Sequence, residues 1–227
     1  FFGDSSDSTA TGFNAELKSD AGVNGLIVDK CSNENPAYGW NFQGQVTITR
    51  SMNFSANVTI SGAASSISNC IISTLNLEAE NIIVDHCVIR NYIKTRDTCT
   101  ISNTIFHEIT AGTSWDQGGN ASYSYCVMIG ADFLPGGSGN IAGAQFIQNV
   151  LVGTGSANSD AFYQLSEGSV ASGAGFGGAD IGAYGGTNPY VLSGVPGIPR
   201  LTRLTVPATA TGLTALTFEV EAEAFSK

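Results

Sequence analysis

The strongest constraint on this chain is a short motif that recurs along it. Five segments superimpose without gaps: Ile67–Ile72 (ISNCII), Val84–Ile89 (VDHCVI), Ile101–Phe106 (ISNTIF), Tyr123–Met128 (YSYCVM) and Phe146–Leu151 (FIQNVL). Their fourth positions fall at 70, 87, 104, 126 and 149, giving spacings of 17, 17, 22 and 23 residues. A weaker copy, Leu26–Cys31 (LIVDKC), agrees with Ile82–Cys87 (IIVDHC) at Ile27, Val28, Asp29 and Cys31, and Phe54–Ile60 is a further candidate. Each segment is a strand-length apolar run bounded by Asn, Gly or Ser and is too short for a helix. One strand per turn of chain, always in the same register, describes the rungs of a solenoid, where each rung buries its inner face only by stacking on its neighbours. Second strands such as 74–77 (TLNL) and 92–94 (YIK) make two or three strands per coil.

The connections decide which solenoid. A meander needs a tight hairpin at every reversal, and Asn-Gly or Asp-Gly pairs are nearly missing between the repeats. The fixed Leu positions of a leucine-rich repeat and the six-residue period of a left-handed hexapeptide helix are also missing. The expected fold is therefore all-β, a right-handed parallel β-helix. Cys70, Cys87, Thr104, Cys126 and Asn149 then form a core stack, with Cys acting as a small buried hydrophobe and Asn free to hydrogen-bond along the column. Five cysteines without C-x-x-C spacing argue against a metal centre, and the shared position of Cys70, Cys87 and Cys126 in the rungs predicts buried free thiols. In simple strand alternation, Asp85, Cys87 and Ile89 share one face, and His86, Val88 and Arg90 share the other.

The repeats stop near Val152. Residues 154–178 are rich in Gly, Ser and Ala and read as a loop or closing turn. After Ala179-Asp180-Ile181-Gly182-Ala183-Tyr184 and a Pro-punctuated connector, the texture changes to strict alternation: Leu216, Phe218, Val220, Ala222 and Ala224 against Thr217, Glu219, Glu221 and Glu223. That pattern predicts a strand with one apolar and one acidic face, paired with Leu201–Val206 in a small C-terminal β module. Two strands are too few to be stable alone. The organisation expected is a β-helix over 1–178 and a closing motif with the two-stranded module over 179–227. Leu216, Phe218 and Val220 are the candidates for self-association, by folding back or by strand donation to a neighbour.

The run of Asn-Cys-Ile and Asp-His-Cys-Val rungs, ending in Asp180-Ile181-Gly182-Ala183-Tyr184, resembles the secreted bacterial right-handed parallel β-helix repeat proteins of the choice-of-anchor type. The likeness extends to Asn188-Pro189-Tyr190-Val191-Leu192 and covers residues from about 65 to 227. It implies an extracellular or cell-surface protein and transfers no catalytic residue. In keeping with that, the chain opens Phe1-Phe2-Gly3-Asp4 without an apolar run and is read as a mature form from which a leader has been removed.

Charge excludes other classes. Nine basic residues against 19 acidic ones give a net charge of −10, so no basic face exists for nucleic acid or for an anionic membrane surface, and no stretch is apolar enough to span a bilayer. Only 12% of residues are charged, which points to a surface of Ser, Thr, Asn and Gly. Asp85-His86 resembles a segment of pectate lyases, without the Trp that usually precedes it. Arg90, Lys94 and Arg96 lie nearby, but only Asp85 and Asp97 supply carboxylates. Asp116 and Asp132 lie in the inserts between rungs and have no evident partner for glycoside hydrolysis. Trp115, Tyr123 and Tyr125 are either a sugar-stacking patch or core. Of the three sequons, Asn53, Asn57 and Asn120 bear on the chain only where the source glycosylates. The function expected is an extracellular structural or adhesive β-solenoid that assembles with itself into a homo-oligomer or filament, with no catalytic residue, cofactor or metal. The alternative is a carbohydrate-binding or polysaccharide-degrading β-helix.

Overall fold

Rungs can stack only if every coil turns its corner in the same way, and the computed structural model of the chain has one corner, repeated six times. The structure describes residues 17–33, 37–109, 115–117, 119–130, 134, 136–192, 200–205 and 219–223. Short strands at Leu26–Asp29, Val46–Thr49, Ser66–Ser68, Ile83–Asp85, Thr100–Ser102 and Ser122–Ser124 pair in parallel and in register. Each is followed by one residue in the left-handed region: Lys30, Arg50, Asn69, His86, Asn103 or Tyr125, with φ between 46° and 55°. The chain then enters a second parallel sheet, built on the long strands Met52–Ile60, Ile71–Leu77 and Val88–Thr95 and continued by Ile105–Phe106, Val127–Ile129 and Ile141–Gln145. The result is a parallel β-solenoid of about five turns. Among the described residues no helix is long and apolar enough to cross a membrane.

The corner explains the repeated fourth position. The residue after each left-handed one turns inward and donates its hydroxyl or thiol to the carbonyl two residues back: Ser51 to Thr49 (2.7 Å), Cys70 to Ser68 (3.1 Å), Cys87 to Asp85 (3.3 Å), Thr104 to Ser102 (2.7 Å) and Cys126 to Ser124 (3.3 Å). The same carbonyls accept the N–H of the preceding rung's corner residue, as in Lys30 to Thr49 (3.2 Å) and Asn69 to Asp85 (3.1 Å). Both lone pairs are therefore used, one within the rung and one between rungs. Cys, Ser and Thr interchange in this column because each is small and carries a donor.

Three sequence expectations are corrected. The second copy of the motif is Val46–Ser51 rather than Phe54–Ile60; it carries Ser where the other rungs carry Cys or Thr. Phe146–Leu151 is not a rung. Ile147–Asn149 forms a 3₁₀ turn whose local bonds, Asn149 N–H to Phe146 and Val150 N–H to Ile147, take up groups a rung would give its neighbour, and Asn149 is exposed outside the column. Simple alternation also fails at the corner. The left-handed residue reorients the chain, so Cys87 points inward beside Val84 while Asp85 stands outward in one file with Ser68 and Ser102.

Two apolar cores result. The inner one fills the solenoid with Val28, Ile48, Ile67, Val84 and Ile101 from the short sheet and Ile72, Ile89, Phe106 and Met128 from the other. The outer one begins with the neighbours of that second set: Met52, Ile71, Val88, Ile105 and Val127 form an outward apolar column. Residues 146–190 cover it, burying Leu151, Phe162, Tyr163, Ile181, Ala183 and Tyr190 against it. At about 1.5–3 kcal/mol per fully buried large apolar side chain, this column obliges the chain to supply a cover.

The chain divides into two compact units, Phe1–Tyr190 and Val191–Lys227, and residues 179–190 belong to the first. The second unit holds an antiparallel pair, Arg200–Thr205 with Glu219–Glu223, with Leu204 opposite Val220 and Leu201 opposite Ala222.

All five cysteines are free; Cys70, Cys87, Cys99 and Cys126 are buried, and Cys31 is half-buried. Burial pushes the Cys126 thiol up to about 12, and burial beside Cys70 also raises Cys87. Iodoacetamide is thus expected to label Cys31 first in the native protein and the other four only after denaturation. Mass spectrometry reads this, and rapid native labelling of Cys70, Cys87 and Cys126 would contradict the packing.

Candidate functional site

The left-handed corner residues project from the solenoid wall, and four of them, Asn69, His86, Asn103 and Tyr125, meet the last part of the cover. This strap, residues 175–190, runs along the stack from the Asn103 rung towards Met52. Asn103 Oδ1 accepts the Phe176 N–H (2.9 Å), and its carbonyl accepts the Gly182 N–H (2.8 Å). Asn69 donates its amide to the carbonyls of Ala183 (3.0 Å) and Gly185 (2.8 Å). Tyr190 ends the strap, with its hydroxyl on the Met52 sulfur (3.2 Å) and on Asp160 Oδ2 (3.3 Å). The Asp-Ile-Gly-Ala-Tyr segment is therefore part of a lateral seam, held by the Asn103 carbonyl and the Asn69 amide.

Glycine is required here for space. A Cβ on Gly182, whose φ is +102°, would meet Ile105 Cδ1 at 2.7 Å, and one on Gly185 would meet the Asp180 carbonyl oxygen at 1.9 Å. Gly185 and Gly186 lie directly on the His86 ring.

Asp85 organises the seam from the solenoid side. Its carboxylate accepts from His86 Nδ1 (2.8 Å), Ser102 Oγ (2.7 Å) and Asn103 Nδ2 (2.8 Å). Burial alone would raise its pKa, but these three hydrogen bonds outweigh it and hold the carboxyl at about 2. The Asp85 contact places the His86 proton on Nδ1, leaving Nε2 buried under the strap without a hydrogen-bond partner. An Asp–His pair of this kind orients an imidazole as a base or ligand in other settings. Here the strap closes the ring off, and Asp85 is committed to ordering His86 and Asn103.

The other charged residues near this region tie adjacent turns together. Arg90 bonds Glu108 (3.2 Å), and Lys94 and Arg96 both reach Glu78 (2.8 and 3.3 Å), with the Lys94 bond keeping the Glu78 carboxyl below its ordinary value. Asp29 accepts from Thr49 (2.8 Å) and pairs with Arg50. Among the described residues no three or more His, Cys, Asp or Glu side chains converge as a metal site would require.

The three aromatic candidates do not form one surface. Tyr123 (2% exposed) and Trp115 (9%) lie in the inner core against Phe106, and Tyr123 shares a hydrogen bond with Thr95 (3.2 Å). Tyr125 is a corner residue on the outside, edge-to-face with Phe176 at 5.6 Å. A Trp on an insert and a Tyr on a rung strand converge inside the solenoid because both side chains fall on its inward face. Asp116 is exposed, while Asp132, Leu216 and Phe218 lie outside the described residues; Val220 is in the C-terminal strand. Asn69, His86, Asn103 and the outward column are the residues that the motif alone did not single out. Their signal was present, since Ile71-Ile72, Val88-Ile89, Ile105-Phe106 and Val127-Met128 are consecutive apolar pairs, the mark of a strand buried on both faces.

The fold defines the class of parallel β-solenoids. No protein-family model, curated protein or solved structure matches the chain, so the class is carried by the fold alone.

Asn69→Asp keeps a side chain tolerant of the left-handed corner but turns a double donor into an acceptor facing two carbonyls. The expected cost is about 2–3 kcal/mol, read as a lower thermal midpoint by circular dichroism. An unchanged midpoint would mean that the seam is not held at Asn69.

Proposed function

We propose that this chain is an extracellular structural or adhesive β-solenoid of the choice-of-anchor kind, assembling with copies of itself through its C-terminal strand unit and catalysing no reaction. The observation that carries this reading is the use made of the polar wall. Asn69 and Asn103 hold the chain's own strap, Asp85 orders His86 and Asn103 beneath it, and Arg50, Arg90, Lys94 and Arg96 pair with carboxylates on neighbouring turns. Low charge and a Ser-, Thr-, Asn- and Gly-rich surface suit close lateral packing outside the cell. Two strands are too few to persist alone, which makes the pair Arg200–Thr205 and Glu219–Glu223 the natural place for strand addition from a second copy.

Sedimentation of the full chain over a concentration series tests the assembly. A homo-oligomer is expected, and deletion of residues 208–227 should abolish it while the β-rich circular dichroism of the solenoid remains. A full-length chain that stays monomeric at high concentration refutes it.

One observation favours the carbohydrate-binding alternative. The Phe176 ring is 70% exposed beside Tyr125, an aromatic pair on the outer wall of the kind sugars stack on. On this reading a glycan array gives binding that Phe176→Ala reduces about tenfold, in line with the loss of one exposed stacking contact. Absence of binding by the unaltered chain leaves the structural role.

A further inference from the structure

The chain has two histidines, and both lie on consecutive rungs beneath the cover. Each is buried, and each has one ring nitrogen without a hydrogen-bond partner: Nε2 of His86 and Nδ1 of His107. Their surroundings differ. His86 Nδ1 is hydrogen-bonded to the Asp85 carboxylate at 2.8 Å. His107 has no such hydrogen bond.

The His107 ring meets the turn of the cover at residues 157–163, with Phe162 at 5.9 Å and Tyr163 at 6.3 Å between ring centroids. From its own rung Glu108 comes no closer than 3.9 Å to Nδ1. From the preceding rung comes Arg90, which bonds Glu108 (3.2 Å) and also grips the turn through the Ala157 carbonyl and Asn158 Oδ1 (both 3.3 Å). On the turn itself, the Tyr163 hydroxyl donates to the Ala157 carbonyl (2.8 Å), and Asp160 accepts from the Tyr190 hydroxyl (3.3 Å). A proton added to His107 thus creates a buried cation against the Phe162 and Tyr163 rings, with the nearest carboxylate, Glu108, 3.9 Å away and already bonded by Arg90, at the point where the cover is fastened.

The geometry points to an acid-operated latch: protonation of His107 unseats the turn at 157–163 and loosens the cover from the outward column of Met52, Ile71, Val88, Ile105 and Val127. Burial pushes the His107 imidazole below its ordinary value of 6.5; Glu108 opposes this, and Arg90 adds to it. The sign follows from proton linkage. The open form binds a proton more readily than the closed one, so closure is complete above the ordinary imidazole value and weakens as pH falls below it. The latch works within one chain and stands apart from the assembly reading.

Hydrogen exchange read by mass spectrometry on the full chain tests this, at about pH 7.5 and about pH 5, the interval in which imidazoles titrate. Each peptide is normalised to the same peptide in the unfolded chain. Peptides from 157–190 are expected to lose protection several-fold at the lower pH, while peptides from rungs 66–106 keep theirs. His107→Gln, which cannot take the charge, should hold the cover's protection constant between the two pH values. Should that variant lose its β-rich circular dichroism, His107→Asn serves in the same comparison. A cover equally protected at both pH values in the unaltered chain overturns the latch. So does an undiminished response in the folded His107 variant, or one abolished by His86→Gln instead.

Discussion

A solenoid lives or dies at its corners. Strand-to-strand hydrogen bonds form wherever extended chain is laid side by side, but in-register stacking requires each coil to leave one sheet and enter the next at the same angle. Here a single residue in the left-handed region makes that bend, six times over, at φ values within ten degrees of one another. For non-glycine residues the conformation costs on the order of 1 kcal/mol each. The inward Cys, Ser or Thr that follows offsets it by returning a hydrogen bond to the carbonyl on the near side of the bend. Rung pairing, the inner core and the outward file of Asp85 all depend on that geometry.

The bend also sets the direction of everything beyond it. It delivers one apolar residue inward and the next outward, so the second sheet is oily on both faces. The cover answers this need with almost no regular structure. Its three 3₁₀ turns satisfy their own backbone groups locally, further N–H groups bond carbonyls within the cover, such as Ser166 to Val150 and Ile181 to Ala171, and the Asn69 and Asn103 side chains and the Asn103 carbonyl meet others. A segment that reads as loose Gly-, Ser- and Ala-rich loop is therefore packed, because its small residues let the backbone come close to the wall.

The solenoid was legible because its repeat is a spacing of residue types, and spacing survives in a linear string. Cys70, Cys87, Thr104 and Cys126 announce a common environment without reference to anything distant. Val46–Ser51 escaped because Ser51 does the work of Cys with a different atom, and Phe146–Leu151 misled because its apolar pattern fits a rung while its backbone prefers a local turn. The seam was hidden for another reason. Asn69 and Gly185 are 116 residues apart, and no local pattern says that one reads the other's carbonyl. Trp115 and Tyr123 illustrate the same limit, since an aromatic residue looks alike in sequence whether it faces a sugar or the inside of a coil.

The strap changes how the molecule must be made. A plain solenoid grows from one end, each coil completing itself on the last, so a nascent chain can fold as it emerges. This one cannot finish that way. The outward column is laid down between Met52 and Val127, yet its cover arrives only with residues 146–190, and Tyr190 must return to Met52 across 138 positions. Until then the wall is bare. Such closures are slow, because the loop entropy must be met before the contacts form. The reward is that the strap joins the Met52, Asn69, His86 and Asn103 levels to one another, so that coils far apart in the stack share one set of contacts.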